Sequence, residues 1–351
     1  MMRPRLNESA AAHEHAPKST SAHEPAPKSA AAHAVSPAFP EPEFTDPAVA
    51  LAHRSAVRSI ERVVHETTEP TPPQEALEQV AGLLRDGPAL VVTGAGVSTE
   101  SGIPDYRSPG GRLSQGRPMT YQEFAHSPSA VRRYWARAFV GIRQMRATSP
   151  NRAHYAFVEL ERAGLISGII TQNVDGLHTK AGSRNVIALH GDMEHVVCLD
   201  CGFKEARSLF DARLHSANPT YLQTVLVTDS MINPDGDVEL PEEAVNDFIM
   251  VQCTRCGGWR MKPDVVYFGE NVPGERRQAA REWLDASTSL IAVGTSLAVM
   301  SGYRLVLDAR AAGKPVAVIN GGPGRADQKA APLWRANVGD ALDLLLDAFD
   351  L

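Results

Sequence analysis

The sequence predicts an α/β protein with a Rossmann-like parallel sheet and helices on both faces, and three observations support this class. Short apolar runs recur along the chain, and each ends in a small polar cluster. The first run leads into a glycine turn at Gly94 and Gly96. Amphipathic helical patterns precede that run and separate it from the next. Because the carboxyl ends of parallel strands meet at one edge, the clusters predict a nucleotide cleft there.

Composition limits the class of protein further. The 351 residues, 43% of them hydrophobic, are enough for one large domain and a smaller one. The formal charge of -6, from 35 basic and 41 acidic residues, gives no reason to expect nucleic-acid binding. No apolar run reaches the roughly 18 residues of a membrane span, so we expect a soluble protein.

Residues 1–45 are rich in Ala, Pro, His, Ser and Lys and contain a ten-residue near-repeat, so we expect a disordered tail. A histidine metal tract is a weak alternative, because the repeat itself sets the spacing of His13, His15, His23 and His33. A mitochondrial presequence is poorly supported in a tail with this many glutamates. We therefore expect a cytoplasmic protein, with the mitochondrial matrix as the alternative.

Two helices are predicted before the first strand. The first runs from Asp46 to about Glu66, and the second from Glu75 to Arg85. Both carry apolar residues at helical spacing, and prolines 70, 72 and 73 separate them. We expect both helices to pack on the sheet.

The segment from Val91 to Arg107 is predicted to bind a phosphate group. Gly94 and Gly96 let the backbone approach an anion, and Ser98 is expected to cap a helix that begins directly after it. Thr99 stands where the dinucleotide fingerprint has a third glycine, and the acidic residue about 20 positions on is not cleanly present. This favours a use of the nucleotide other than redox chemistry.

Tyr121 to about Met145 combines aromatic residues with arginines. Such a mixture can stack nucleobases. We instead expect a small helical module whose aromatic face is core and whose arginines are solvated or face the cleft.

A second chemical segment follows the apolar strand in Gly168–His178. Gln172, Asn173 and Asp175 cluster at the end of that strand, where open α/β sheets bind ligands. The next strand, Val186 to Leu189, ends at His190, whose near-neutral reference pKa suits a general base.

The cysteines form two CxxC pairs, and their spacing predicts a metal site rather than disulfides. Two such hairpins complete a tetrahedral Zn²⁺ site with a closed shell, which is typical of structural zinc: Cys198, Cys201, Cys253 and Cys256. Asp211 to Phe248 between them is expected to be an inserted surface segment. Its acidic turn at residues 233–237 resembles a calcium loop only faintly.

Taken in order, these segments resemble the sirtuin family. The resemblance rests on GAGVSTESGIPDYR, TQNVDGLH, LHG, the CxxC pairs, PDVVYFGE, GTSL and VIN, and it covers about residue 75 to the C-terminus. PDYR, KAGS and SGYR are similar to the class II branch that includes the mitochondrial sirtuin four. The resemblance implies a catalytic domain over 46–351, with a large NAD-binding part (about 75–105, 150–192 and 262–351), a helical module (about 106–149) and a zinc-binding part (about 193–261).

The resemblance also implies roles for individual residues. His190 would be the catalytic base, and Asn173 would contact the nicotinamide ribose and order water. An acylated-lysine protein would bind along Val266, Tyr267, Phe268, Gly269, Leu297 and Val299. The NAD contacts would be Gly94, Ala95, Gly96, Thr99, Ile103, Asp105, Tyr106, Arg107, Gln172, Asn173, Asp175, His190, Gly294, Thr295, Ser296, Asn320, Gly321 and Val338.

The activity implied by the resemblance is that of a monomeric, NAD-dependent protein lysine deacylase, which transfers the acyl group to ADP-ribose and releases nicotinamide. A mono-ADP-ribosyltransferase using the same site, and a non-enzymatic zinc and nucleotide-binding module, remain alternatives. Class II members that remove acidic acyl groups use a Tyr and an Arg three residues apart. Tyr134 and Arg137 have that spacing, although they fall one position early when counted from Ser129.

Overall fold

A six-stranded parallel sheet forms the centre of the protein, in the strand order β3-β2-β1-β7-β8-β9. The computed structural model describes residues 43–108, 111, 113, 117–225 and 236–351. The predicted fold class is confirmed. The strands of this sheet are β1 Ala89–Thr93, β2 Ile166–Thr171, β3 Val186–Ala188, β7 Ser289–Val293, β8 Val316–Ile319 and β9 Leu333–Trp334.

Helices cover both faces of this sheet, because its central strands are apolar on both sides. In β1, Ala89 and Val91 point into one core, while Leu90 and Val92 point into the other. Helices α2 (Pro73–Arg85), α5 (Arg152–Arg162) and α12 (Val338–Asp347) contribute to the first core, and α10 (Gly274–Ala286) and α11 (Met300–Ala311) contribute to the second. Strands buried on both faces read as continuous apolar runs, and this is why they could be recognised in the sequence.

The helices before the zinc-ligand segments are α1 Pro47–Ile60, α2 Pro73–Arg85, α3 Tyr121–His126, α4 Pro128–Ala147, α5 Arg152–Arg162 and α6 Leu177–Ala181. Between the two cysteine pairs lie α7 Arg207–Ala217, α8 Tyr221–Thr224 and α9 Glu242–Asp247, and after the second pair come α10 Gly274–Ala286, α11 Met300–Ala311 and α12 Val338–Asp347. Within the described ranges, none of these helices has the length and apolar character needed to cross a bilayer.

A third core joins the helical module to a small antiparallel sheet. That sheet has the order β5-β4-β6, with β4 Gly191–Cys198, β5 Lys204–Ala206 and β6 Met261–Val265. Trp135 of α4 is fully buried, and its Nε1 donates to the carbonyl oxygen of Met261 at 2.6 Å. Phe124, Tyr134 and Phe139 are buried in the same cluster. The aromatic face of the module is therefore core, as predicted.

Two predictions about the periphery are wrong. The first helix ends at Ile60 rather than near Glu66, and it contacts α3 instead of packing on the sheet. It buries His53, Ala56 and Ile60, whereas Val63 is 69% exposed. The apolar spacing predicted a buried face without showing which element would cover it.

The segment between the cysteine pairs is not a surface insertion in the part that the structure describes. Its apolar side chains enter the third core, among them Leu214, Tyr221, Val238, Val245 and Phe248. Residues 226–235, including most of the acidic turn at 233–237, lie outside the described residues. Asp237, the last residue of that turn, is buried beside Arg137.

Candidate active site

The chain reverses its direction across the sheet between β1 and β7, and this opens a crevice at the carboxyl ends of these strands. From β1 the chain continues outward through β2 and β3, and later through β7, β8 and β9 on the opposite side. Open α/β sheets bind ligands at such a reversal. The predicted clusters at residues 94–96, 172–175 and 294–296 follow β1, β2 and β7.

The loops after β1 and β7 touch backbone to backbone, and glycine is required on both sides. The Gly96 N–H donates to the Gly294 carbonyl oxygen at 2.9 Å. A Cβ on Gly96 would lie 2.8 Å from that oxygen, and one on Gly94 would lie 2.7 Å from Thr295 Cβ. Gly294 has a φ of 61°, a conformation that favours glycine. The sequence analysis predicted that these glycines approach a ligand. The structure shows that they also allow the two loops to make backbone contact.

The predicted helix after Ser98 is wrong. Two short 3₁₀ turns, Ala95–Val97 and Thr99–Ser101, stand in its place, and Ser98 makes no capping hydrogen bond. Gly102, with a φ of 85°, ends the second turn. The Ser98 hydroxyl instead donates to Asp175 Oδ2 at 2.7 Å, because that partly buried carboxylate lies across the crevice.

The polar residues after β2 form one network with the glycine turn. Asn173 Nδ2 donates to the Gly94 carbonyl oxygen at 3.1 Å and to Ser98 Oγ at 3.0 Å. Gln172 Nε2 donates to Thr295 Oγ1 at 2.9 Å, which connects this network to the loop after β7. Three loops that are far apart in the sequence are thereby held together.

His190 lies at the edge of the same network. Its Nδ1 is 2.9 Å from the Gln172 carbonyl oxygen, and its Nε2 is 2.7 Å from Ser301 Oγ. Burial of the ring lowers the pKa of His190 to about 4, although the hydrogen bond to Gln172 opposes this shift. The ring is consequently neutral at pH 7, and a neutral imidazole can accept a proton.

The segment 105–107 forms a turn of its own. Asp105 Oδ1 accepts the backbone N–H groups of Arg107 at 2.9 Å and Ser108 at 2.8 Å. The Tyr106 ring packs edge-on against Phe268, with 6.0 Å between the centroids. Arg107 Nη2 donates to the Ile60 carbonyl oxygen at 3.4 Å, and burial lowers the pKa of its guanidinium.

The Val266–Gly269 loop, predicted to bind substrate, is held from three sides. Val266 N–H donates to the His190 carbonyl oxygen at 2.7 Å, and Phe268 accepts the Tyr121 N–H at 2.8 Å. Gly269 has a φ of 84°, and a Cβ there would lie 2.7 Å from Ala56 Cβ of α1. The support from α1 and α3 was missed, because no sequence pattern indicates which helix meets a distant loop.

The facing loop carries a second feature that the sequence did not reveal. Leu297 is fully buried and has a φ of 50°, which is uncommon for a residue other than glycine. Its N–H donates to Thr295 Oγ1 at 3.1 Å. Such conformations concentrate at ligand sites, and this one holds the 297–299 loop in place.

The remaining candidates lie along the crevice or below it. Val338 begins α12 behind the cap residue Asn337, and Asn320 Nδ2 donates to the Gly322 carbonyl oxygen. Ala95, Ser296 and Gly321 lie in the loops after β1, β7 and β8, Thr99 Oγ1 donates to the Gly96 carbonyl oxygen, and Ile103 is buried in the third core.

The Arg137 guanidinium is already paired. Its Nε donates to the Val238 carbonyl oxygen at 2.8 Å and lies 3.1 Å from Asp237 Oδ2, while its Nη2 is 2.5 Å from Glu239 Oε1. Tyr134 packs against Phe124 and Tyr267. The arginine whose spacing from Tyr134 matches that of acidic-acyl readers therefore has its charge compensated by two carboxylates.

The four cysteines converge as their spacing predicted. Their sulfur atoms all lie within 4.8 Å of one another, with 3.7 Å between Cys198 and Cys256 and 3.8 Å between Cys201 and Cys253. Tetrahedral Zn²⁺ with bonds of about 2.3 Å places its sulfur ligands roughly 3.8 Å apart. The cluster fits a structural zinc ion with four protein ligands.

Comparison with known proteins is consistent with this geometry. The model of the family described as "Sir2 family" matches residues 94–301. A protein named NAD-dependent protein deacetylase 1 from Corynebacterium efficiens is 61% identical over 276 residues, which cover 79% of this chain and 98% of that protein. The human protein named NAD-dependent protein lipoamidase sirtuin-4, mitochondrial, is 43% identical, over 73% of this chain and 81% of its own length.

Solved structures give the same result. A structure described as "Structural Basis for the Mechanism and Regulation of Sir2 Enzymes" superposes with a TM-score of 0.61 at 30% identity, covering 79% of this chain and 98% of that one. Another, described as "Sir2-p53 peptide-NAD+", has a TM-score of 0.61 at 27% identity and covers 78% and 98%.

Proposed function

The chain belongs to the Sir2 family of NAD-dependent protein deacylases, and on this premise we propose that His190 is its general base. The observation that carries the assignment is the arrangement of the ring. Its Nδ1 donates to a backbone carbonyl, so Nε2 of the neutral ring is the unprotonated nitrogen that can take up a proton, and the Ser301 hydroxyl lies 2.7 Å from it. A hydrogen bond from one ring nitrogen to a backbone carbonyl fixes the tautomer of the ring, and such a bond is typical of catalytic histidines.

The residues at the crevice fit NAD, which is the co-substrate. The close approach of Gly94 and Gly96 to the 294–295 loop leaves bare backbone there, as a pyrophosphate requires. Among the described residues, no group donates a hydrogen bond to Asn173 Oδ1, which leaves this acceptor for a ribose hydroxyl. When bound, NAD supplies an electrophilic ribose carbon and nicotinamide as leaving group, and it is consumed rather than reduced.

The protein's part in the chemistry is to hold the reactants and to move one proton. Asp105, Tyr106 and Arg107 close over the crevice and exclude water. His190 Nε2 takes up the proton whose removal makes a ribose hydroxyl nucleophilic toward the acyl group. Because burial lowers the pKa of His190 to about 4, nearly all of the rings are ready to accept that proton at pH 7.

We assign the acyl-lysine peptide to the space between the 266–269 and 297–299 loops, where it adds as a strand. Main-chain hydrogen bonds would provide most of its affinity, and this allows many target sequences. The Val266 N–H bond to the His190 carbonyl oxygen ties this loop to the base. Since Arg137 is neutralised, we expect neutral acyl groups to be preferred over acidic ones.

The test compares His190→Asn with wild type on an acetyl-lysine peptide, with free nicotinamide, deacylated peptide and O-acyl-ADP-ribose measured together. Asparagine keeps an N–H for Gln172 but cannot act as the base. We expect deacylation to fall by about 10²–10⁴-fold, the usual contribution of a general base, with unchanged zinc content and melting temperature. The exposed His215→Asn serves as the matched control.

Activity of His190→Asn within tenfold of wild type would refute the assignment. Accumulation of ADP-ribosylated protein without deacylated peptide would instead support the transferase alternative. Mass spectrometry of the products separates these outcomes.

We further propose a monomer in the cytoplasm. The exposed large apolar side chains are spread over separate helices, such as Leu51 on α1, Leu209 on α7 and Leu344 on α12, which does not favour a shared apolar interface. Free thiols in a zinc-type cluster suit a reducing compartment. Light scattering of the purified protein tests the monomeric state. Fractionation of its host cells tests the cytoplasmic location.

A further inference from the structure

The Ser301 hydroxyl is hydrogen-bonded to the nitrogen that we assign as the base. Ser301 Oγ lies 2.7 Å from His190 Nε2, and His190 Nδ1 lies 2.9 Å from the Gln172 carbonyl oxygen. A carbonyl oxygen can only accept, so Nδ1 carries the proton and Nε2 of the neutral ring is an acceptor. Ser301 is consequently the donor of its bond, and the ring is held at both nitrogens.

The two segments that carry the partners of the ring are in direct contact. Ser301 is the second residue of α11, and the next residue, Gly302, lies against Gln172. A Cβ on Gly302 would be 2.6 Å from Gln172 Oε1, so a larger residue there would displace the end of the Gln172 side chain. Ser301 and the Gln172 carbonyl bond to the two different nitrogens of the imidazole.

We propose that Ser301 is a positioning residue for the deacylation reaction, which holds the His190 ring with Nε2 presented to the crevice. This inference rests on the proposed function, in which His190 is the base. A ring anchored only at Nδ1 rotates more freely about its side-chain bonds, so its productive orientation is occupied for less of the time. For the proton transfer the hydroxyl turns its O–H away from Nε2, which frees the lone pair of that nitrogen, and it can then accept from Nε2–H once the ring is protonated, because a hydroxyl is both donor and acceptor.

Two steps of the reaction differ in their dependence on His190. Release of nicotinamide precedes the proton transfer to His190, whereas transfer of the acyl group depends on it. Loss of the Ser301 hydroxyl should therefore slow deacylation and leave nicotinamide exchange intact. A merely structural role would slow both, because both need the same folded crevice.

Kinetics of Ser301→Ala, with Ser301→Thr as the conservative variant, test this separation. For Ser301→Ala we expect a fall in the kcat for deacylation of about tenfold, equivalent to about 1.4 kcal/mol, with KM for NAD and the exchange rate within about twofold of wild type. Ser301→Thr keeps the hydroxyl and should recover most of the lost rate. Arg304→Gln, at an exposed position of the same helix, is the control and should match wild type.

A spectroscopic measurement tests the hydrogen bonding of the His190 ring independently of enzymatic activity. In protein labelled with ¹⁵N-histidine and free of NAD, the two ring nitrogens of His190 report tautomer and hydrogen bonding by their chemical shifts. Wild type should show a protonated Nδ1 and a hydrogen-bonded, unprotonated Nε2. Ser301→Ala should shift the Nε2 signal toward the value of an unbonded acceptor, and Ser301→Cys is a smaller change for use if the alanine variant does not fold.

Unchanged Nε2 shifts in folded Ser301→Ala, or equal losses of exchange and deacylation in that variant, would overturn the proposal. His190→Asn in the same assays distinguishes failure of the Ser301 positioning role from failure of the proposed function. If that variant is inactive while Ser301→Ala behaves as wild type, only the positioning role is wrong. If it retains activity, the base assignment itself is wrong.

Discussion

Acid should destabilise this protein through a buried pair of histidines below the crevice. His154 and His178 are 0% and 2% exposed, and their ring centroids are 4.9 Å apart. Burial lowers the pKa of His154 to about 4 and that of His178 to about 3. His178 Nε2 lies 3.0 Å from the hydroxyl of Thr93, the last residue of β1, so the His178 ring supports the strand that leads into the glycine turn.

The size of the effect follows from linkage between protonation and folding. Both histidines have folded pKa values below the ordinary 6.5, so the unfolded chain binds more protons than the folded one as the pH falls below 6.5. The stability present above that pH is therefore lost on acidification. Between pH 7.5 and 5.0 the loss is about 2 kcal/mol for each ring and about 4 kcal/mol for the pair, a large part of the stability of a typical domain.

Urea denaturation at pH 7.5 and 5.0, on wild type and His178→Gln, measures this loss. Glutamine can still bond to Thr93 and does not titrate, so the variant should lose about 2 kcal/mol less than wild type between the two pH values. The exposed His215→Gln is the control, and its loss should equal that of wild type. Effects of acid on the zinc site are common to all three proteins and cancel. An equal pH dependence in His178→Gln and wild type would refute the reasoning.

Three further predictions concern the metal, the cofactor turn and the acyl group. Cys256→Ser should reduce bound zinc from about one equivalent per chain and lower the melting temperature, as checked by metal analysis and calorimetry; full zinc retention would contradict the four-cysteine site. Gly96→Ala should weaken NAD binding about tenfold or more in calorimetric titration, because its Cβ would meet the Gly294 carbonyl oxygen at 2.8 Å. Gly82→Ala, where a Cβ meets nothing within 4 Å, should bind as wild type. On a panel of acyl-lysine peptides, acetyl should be removed faster than succinyl or glutaryl, and the opposite order would show that Arg137 is released from its carboxylates.

Much of the crevice could be predicted because its residues come directly after buried strands. Gly94, Gln172 and Gly294 each follow a continuous apolar run, and the carboxyl ends of parallel strands meet at one edge. The zinc cluster could be predicted because each CxxC motif places two sulfurs in one short turn, which a single ion can bridge. These are local patterns, and local physics is sufficient to interpret them.

The helix predicted after Ser98 illustrates how local patterns fail. Serine before a polar turn is a good capping signal, but here its hydroxyl has a stronger partner in Asp175, 77 residues later in the chain. The first helix fails in a similar way, because its apolar spacing is satisfied by α3 as readily as by a sheet. In both cases a distant residue decided the outcome.

The sequence by itself determined the sheet, the family of the chain, the glycine turn and the cysteine cluster, since each is marked by short local patterns such as an apolar run, a glycine pair or a CxxC motif. Only the tertiary structure decided that Ser301 meets His190 across 111 residues, that Ala56 lies against Gly269, and that Arg137 is neutralised by Asp237 and Glu239. The physical reason is that a hydrogen bond or an ion pair acts over a few ångströms, whatever the separation of its partners along the chain. Packing of whole elements brings those partners together, and no spacing in the sequence records it.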